Sequence, residues 1–190
     1  MANKSVDANY RFIAANQEVN TRIAQRQQAL ALYVTLVVSL LAAMVALSTS
    51  TGAASAPVEW LVLGFPVASL TLALLNYTSE RAISNLRTFL SALERLEDAH
   101  DSLPSYNTNP KWSTGANQAR RFRDLATLLL AVAGNGIGFG AAWRIYPHRL
   151  AEFSGFFYAG LALALISLAF ILITPRWSYA PREAMASVEN

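Results

Sequence analysis

The chain has no cysteine. Disulfides, thiolate nucleophiles, iron–sulfur clusters and cysteine-based zinc sites are excluded at once. Two histidines, His100 and His148, leave little material for haem or metal ligation. Charge is also scarce. Charged residues make up 14% of the sequence and hydrophobic ones 54%, whereas an ordinary soluble domain carries about 25% charged residues. That shortfall points to a membrane before any segment is inspected. The net charge of +3 is small, so its distribution matters more than its sum. No P-loop, G-x-S-x-G or H-E-x-x-H pattern occurs. No cofactor, metal or nucleic-acid partner is expected.

Against these absences stand four long apolar runs: Ala29–Ser48, Pro57–Asn76, Leu125–Trp143 and Phe153–Ile173. Each is about 20 residues, enough to cross a hydrocarbon core of about 30 Å as a helix. Glu59 is their only acid and lies near an end, and none contains Lys, Arg or His. Proton-coupled transporters, pumps, voltage sensors and intramembrane acid–base catalysts need such groups at depth. The small-residue triplet Ala54–Ala56 could serve signal cleavage, but 28 residues precede the first run, too many for a signal peptide. We therefore read a membrane span there, and expect Pro66 to kink the second one.

Lys and Arg set the orientation. Thirteen lie in residues 1–28, in 77–124 and in the tail 174–190, whereas the opposite side has only Arg144 and Arg149. The sequence thus predicts an all-α integral membrane protein with four transmembrane helices and both termini cytoplasmic, in a bacterial inner (plasma) membrane. Its first two spans extend into a cytoplasmic helical hairpin. Residues 1–28 form one amphipathic arm, since neither Pro nor Gly separates them from the first span and Glu18 precedes Arg22 by four. The second arm carries an apolar stripe, Ile83, Leu86, Leu90 and Leu93, at helical spacing. That stripe is the candidate surface for a cytoplasmic protein partner. Leu103–Gly115, with two prolines, reads as a connection and a candidate binding loop.

One short run concentrates glycine: "GNGIGFG", Gly134–Gly140, inside the third span. Gly136, Gly138 and Ala141 fit the dinucleotide pattern G-x-G-x-x-A, but no strand precedes them, as that turn requires. "GIGFG" resembles the T-x-G-Y-G filter of potassium channels. It begins with Gly136 in place of threonine, and "ARRFRD" before it puts the preceding segment inside. Packing fits best. Gly134 and Gly138 form one G-x-x-x-G and Gly136 and Gly140 another, a surface that a second helix can approach closely. Asn135 can hydrogen-bond across the same seam.

The basic knot Arg120, Arg121 and Arg123 is a candidate contact for anionic lipid or a phosphorylated ligand, and Asp124 is expected to pair with Arg120 or Arg121. Glu97 and His100 stand three apart like one half of a di-iron motif, but the second half is missing. Trp60, Tyr77, Trp143, Tyr146 and Trp177 read as anchors at the membrane interfaces. Two spans joined to long inner helices resemble the layout of small bacterial membrane effectors that form pores, with no motif in common. Taken together, the sequence points to a non-enzymatic, self-associating multi-pass protein in contact with membrane lipids, whose arms receive a partner or signal. The alternative is a channel or pore subunit. A lipid enzyme would have to work through interfacial groups such as His100, Asp101 and Arg120.

Overall fold

A computed structural model of the chain describes residues 8–49, 58–96, 105–152 and 154–180, with the side chains of all of these except 113–119. The described chain is all-helical: α1 (Ala8–Thr49), α2 (Val58–Glu94), α3 (Pro110–Ile145), the short α4 (Pro147–Glu152) and α5 (Ser154–Ile173), then a 3₁₀ turn at Thr174–Trp177. Four stretches, Ala8–Thr49, Val58–Glu94, Arg120–Ile145 and Ser154–Trp177, are long and apolar enough to cross a membrane. The 42 residues of α1 span roughly 63 Å at the helical rise, about twice an apolar core.

Local chemistry explains most boundaries. α1 runs unbroken because neither Gly nor Pro interrupts it, and Glu18 accepts from Arg22 Nε at 2.7 Å. α2 continues through Pro66, which is itself buried. α3 begins earlier than expected. The sequence reading carried the connection to Gly115, yet the helix starts at Pro110, with the Asn109 side chain accepting from Lys111 N at 3.0 Å. Asn followed by Pro is an N-cap and first-turn pair, so this proline opens a helix instead of breaking one. Glu97, His100 and Asp101 lie outside the described residues, as do Pro57, Phe153 and most of the outer loop after Thr49.

α2 is the hub. It runs antiparallel to α1, pairing Leu40 with Gly64, Tyr33 with Ser69 and Arg26 with Glu80. It also runs antiparallel to α3, where Gly138 meets Phe65 and Asn135 bonds Ser69. With α5 it runs parallel: Trp60 meets Phe156 at one end, and Tyr77 meets Phe170 at the other. Its apolar window is 44% buried against 17% for α1, consistent with the central place. Phe65, Met44 and Val58 anchor one core, and Ala73, Ala131 and Ile171 form a second. Ala15 and Val19 of α1 close on Ile83 and Leu90 of α2, with Leu86 beside them, in a third core.

Three of the four residues in the expected partner stripe are thus occupied by α1. Leu93 is half-buried outside that core. Outward-facing side chains along the apolar windows are large and aliphatic, among them Leu32, Val38, Leu129, Ile137, Leu165 and Leu172, all more than half exposed. Soluble monomers rarely expose apolar patches beyond a few hundred Å². An apolar solvent suits these faces, in agreement with a multi-pass composition.

Candidate functional site

The glycine run is not one seam. Residues two apart on a helix point to nearly opposite sides, so Gly134 and Gly138 face α1 and α2 while Gly136 and Gly140 face away. A Cβ on Gly134 would overlap Tyr33 Oη, and one on Gly138 would lie 2.5 Å from Phe65 Cγ. Nothing lies within 4 Å of where a Cβ would stand on Gly136 or Gly140. The expected seam of four is therefore corrected to two faces, one filled and one open. What fills the closed face is also different from a helix backbone: two aromatic side chains from α1 and α2 occupy it.

Asn135 sits beside the filled face, 5% exposed. Its Nδ2 donates to Ser69 Oγ and to Ala131 O, both at 2.8 Å. Tyr33 Oη donates to Leu130 O at 3.3 Å and lies 3.1 Å from Ser69 Oγ. Since Tyr33 has one proton and gives it to Leu130 O, Ser69 donates to Tyr33. The result is a directed chain, Asn135 to Ser69 to Tyr33 to the α3 backbone, tying three helices at one height. Asn135 Oδ1 has no partner.

A second constellation lies nearer the polar ends, and the sequence reading missed it. Arg26 is 6% exposed. It donates from Nε to Asn76 Oδ1 at 3.0 Å, from Nη1 to Glu80 Oε2 at 2.7 Å and from Nη2 to Asp124 Oδ1 at 3.0 Å. Glu80 Oε1 accepts from Arg120 Nη1 at 2.8 Å, and Arg120 Nε lies 3.5 Å from Asp124 Oδ2. The expected pairing of Asp124 with Arg120 is present but secondary to Arg26. Arg121 is exposed and takes no part, so the basic knot is not a single patch. Arg120 turns inward, whereas Arg123 stays half-buried, its Nη2 3.9 Å from Asp124 Oδ1.

One signal could have revealed this cluster. Arg26, Glu80 and Asp124 lie three, four and one residues beyond the ends of their apolar runs. Adjacent spans place such residues at one level, where opposite charges meet.

At the far polar end, Glu94 accepts from the backbone N of Asn107 and Thr108, both at 3.0 Å, and from Asn107 Nδ2 and Thr108 Oγ1 at 2.8 and 2.9 Å. Tyr179 Oη donates to Asn107 O at 2.8 Å. The part of the expected binding loop described ahead of α3, residues 105–109, is therefore fastened from two sides. Tyr146, expected as an interface anchor, is buried and donates to Met44 O at 2.8 Å. Trp60 and Trp143 do face outward. Trp177 meets Tyr77 edge to face at 6.4 Å and holds the Arg81 guanidinium 4.5 Å above its ring.

By fold and composition, then, this is an all-helical chain of the multi-pass membrane type. No family model, characterised protein or solved structure matches it. Its functional reading rests on the geometry of these two constellations.

Proposed function

We propose that the chain is a non-enzymatic, multi-pass protein of a bacterial inner membrane that associates with further copies of itself through the open glycine face of α3. Its termini and the polar halves of α1 and α2 stand in the cytoplasm as a helical hairpin and meet a protein partner or signal there. One observation carries the reading. Gly136 and Gly140 have nothing within 4 Å of where a Cβ would stand, and Ala133 is exposed beside them. Small residues on an outward helix face let a second backbone approach, and packing is what drives helix association in lipid. Since Ile83, Leu86 and Leu90 are taken by α1, the partner surface moves to the outward apolar residues of the arms, Tyr10, Ile13 and Phe89.

The test is oligomeric size in detergent and in nanodiscs, with Gly136→Leu and Gly140→Leu as variants. Association that both substitutions abolish, with each chain still folded, supports the reading. A strict monomer throughout sinks it, and so does an oligomer indifferent to leucine at these positions. In the channel reading, Phe65 and Tyr33 close the interior beside Gly134 and Gly138, so a path would run between copies. Ion flux through reconstituted liposomes tests that alternative.

A further inference from the structure

A cavity of about 250 Å³ opens between α1 and α3 at the height of the ion cluster. Ile23 and Leu30 form its apolar wall, and Arg26, Gln27, Asn76, Arg123 and Thr127 supply its polar groups. No carboxylate lines it. Asp124 lines an adjoining crevice, which shares Arg26, Asn76 and Thr127 with this cavity and adds Ile171 and Thr174.

Three features give this cavity a preference for an anion. First, the cluster beside it combines the cations Arg26, Arg120 and Arg123 with the anions Glu80 and Asp124, which leaves one positive charge unmatched. Second, Arg123 is the loosest of these cations, with its nearest carboxylate oxygen 3.9 Å away. Third, Asn76 is 5% exposed and turns Oδ1 toward Arg26 Nε at 3.0 Å. Arg123, which lines the cavity, also has its Nε buried with no hydrogen-bond partner among the described residues. A buried guanidinium N–H in that state is incomplete, and an acceptor of negative charge completes it.

We propose that this cavity binds a phosphate monoanion, either the phosphodiester of a membrane lipid or a soluble phosphate compound. Arg123 contributes the charge, and Asn76 Nδ2 and Gln27 the neutral donors. The volume falls below the ~300 Å³ at which sites for drug-sized ligands begin, so it takes a headgroup and not a whole nucleotide. Its level at the ends of the apolar runs is where lipid phosphates lie. The inference rests on the membrane placement and not on self-association, since binding is read per chain.

The test titrates the full purified chain, in a nonionic detergent, with phosphatidylglycerol, phosphatidylcholine and inorganic phosphate, and reads retained ligand by native mass spectrometry. Arg123→Gln should weaken phosphatidylglycerol binding about tenfold, as expected for loss of one charge-assisted hydrogen bond. Arg123→Lys should keep most of it. Asn76→Asp retains an acceptor for Arg26 but replaces the amide N–H donors with negative charge, and should abolish binding. Arg121→Gln, an equal charge change on the exposed side of the same helix, should stay within about twofold of the unchanged chain. Equal losses for Arg121→Gln and Arg123→Gln would reduce the effect to general surface charge and overturn the proposal, as would binding that ignores Arg123 and Asn76. Displacement of the lipid by inorganic phosphate assigns the site to a soluble phosphate compound. Resistance to displacement assigns it to the lipid headgroup.

Discussion

Gly138→Ala is the sharpest test of the filled face. The added Cβ would stand 2.5, 2.7 and 2.8 Å from Phe65 Cγ, Cδ1 and Cδ2. Carbon atoms pack at about 3.5–4.0 Å, so the overlap is on the order of 1 Å. Phe65 has no exposed surface, and the clash is with the root of its ring, close to the α2 backbone. Rotating the ring does not relieve it, and α2 or α3 must shift. Overpacking of this kind costs about 1–3 kcal/mol, while Ala for Gly in a helix returns about 1 kcal/mol. Within one chain Gly140→Ala collects the same propensity gain with no clash, because nothing lies within 4 Å. Since this position faces a second copy in the proposed association, the two variants are compared as monomers. The difference between the two variants therefore isolates the packing term, about 1–3 kcal/mol. At roughly 2–4 °C per kcal/mol for a chain of this size, Gly138→Ala should melt several degrees below Gly140→Ala. Fluorescence-detected size-exclusion after heating steps in detergent measures this. In a Phe65→Ala background the Gly138→Ala penalty should shrink, since Cγ and the ring beyond it are gone. Equal melting of the two alanine variants, or a penalty unchanged by Phe65→Ala, would refute the reasoning.

Other perturbations probe the polar ties. Glu80→Gln removes the carboxylate that holds Arg26 and Arg120 and should cost about 3–5 kcal/mol, the penalty for breaking a buried pair. Glu18→Gln, at the half-exposed pair with Arg22, should change stability by no more than about 1 kcal/mol, and denaturant titration in mixed micelles compares the two. Tyr33→Phe removes the donor to Leu130 O and should cost about 1 kcal/mol. Because Tyr33 Oη is what a Gly134 side chain would strike, Gly134→Ala should be destabilising alone and tolerated together with Tyr33→Phe. Additive melting shifts in that double-mutant cycle would contradict the contact.

The helices were legible because length and apolarity are one-dimensional quantities, and a run such as Ala29–Ser48 carries both. The start of α3 was not, because Pro110 reads as a breaker until Asn109 beside it is seen to cap a helix. The division of the glycine run was within reach, since helical geometry alone sets Gly134 and Gly138 opposite Gly136 and Gly140. Its occupants were not, because Tyr33 and Phe65 lie about 100 and 70 residues away in sequence and nothing local names them. The ion cluster is the same kind of case. Arg26, Glu80 and Asp124 each read as an ordinary charge flanking a span, and only the contact between three helices makes them one unit.

In lipid, the apolar effect does not choose between helix neighbours, so their register must come from shape and from polar bonds. α1, α2 and α3 are registered both ways. Phe65 fits against Gly138, the Asn135–Ser69–Tyr33 chain ties the same height, and Arg26, Glu80, Arg120 and Asp124 fix the polar end. α5 is held differently. Ser167 gives its hydroxyl to Ala164 O in its own helix, and the contacts of α5 with α2 and α3 include Phe156 with Trp60, Phe170 with Tyr77, Phe157 with Phe139, Gly160 with Phe139 and Leu63, and Ile171 with Ala73. These contacts are matters of shape. Polar fastening follows beyond the end of α5, where Trp177 lies under Arg81 and Tyr179 bonds Asn107 O. These two residues hold α5 in register with the turn that Glu94 closes, so the last span is coupled to the polar ends of the bundle through its tail and not through its own helix.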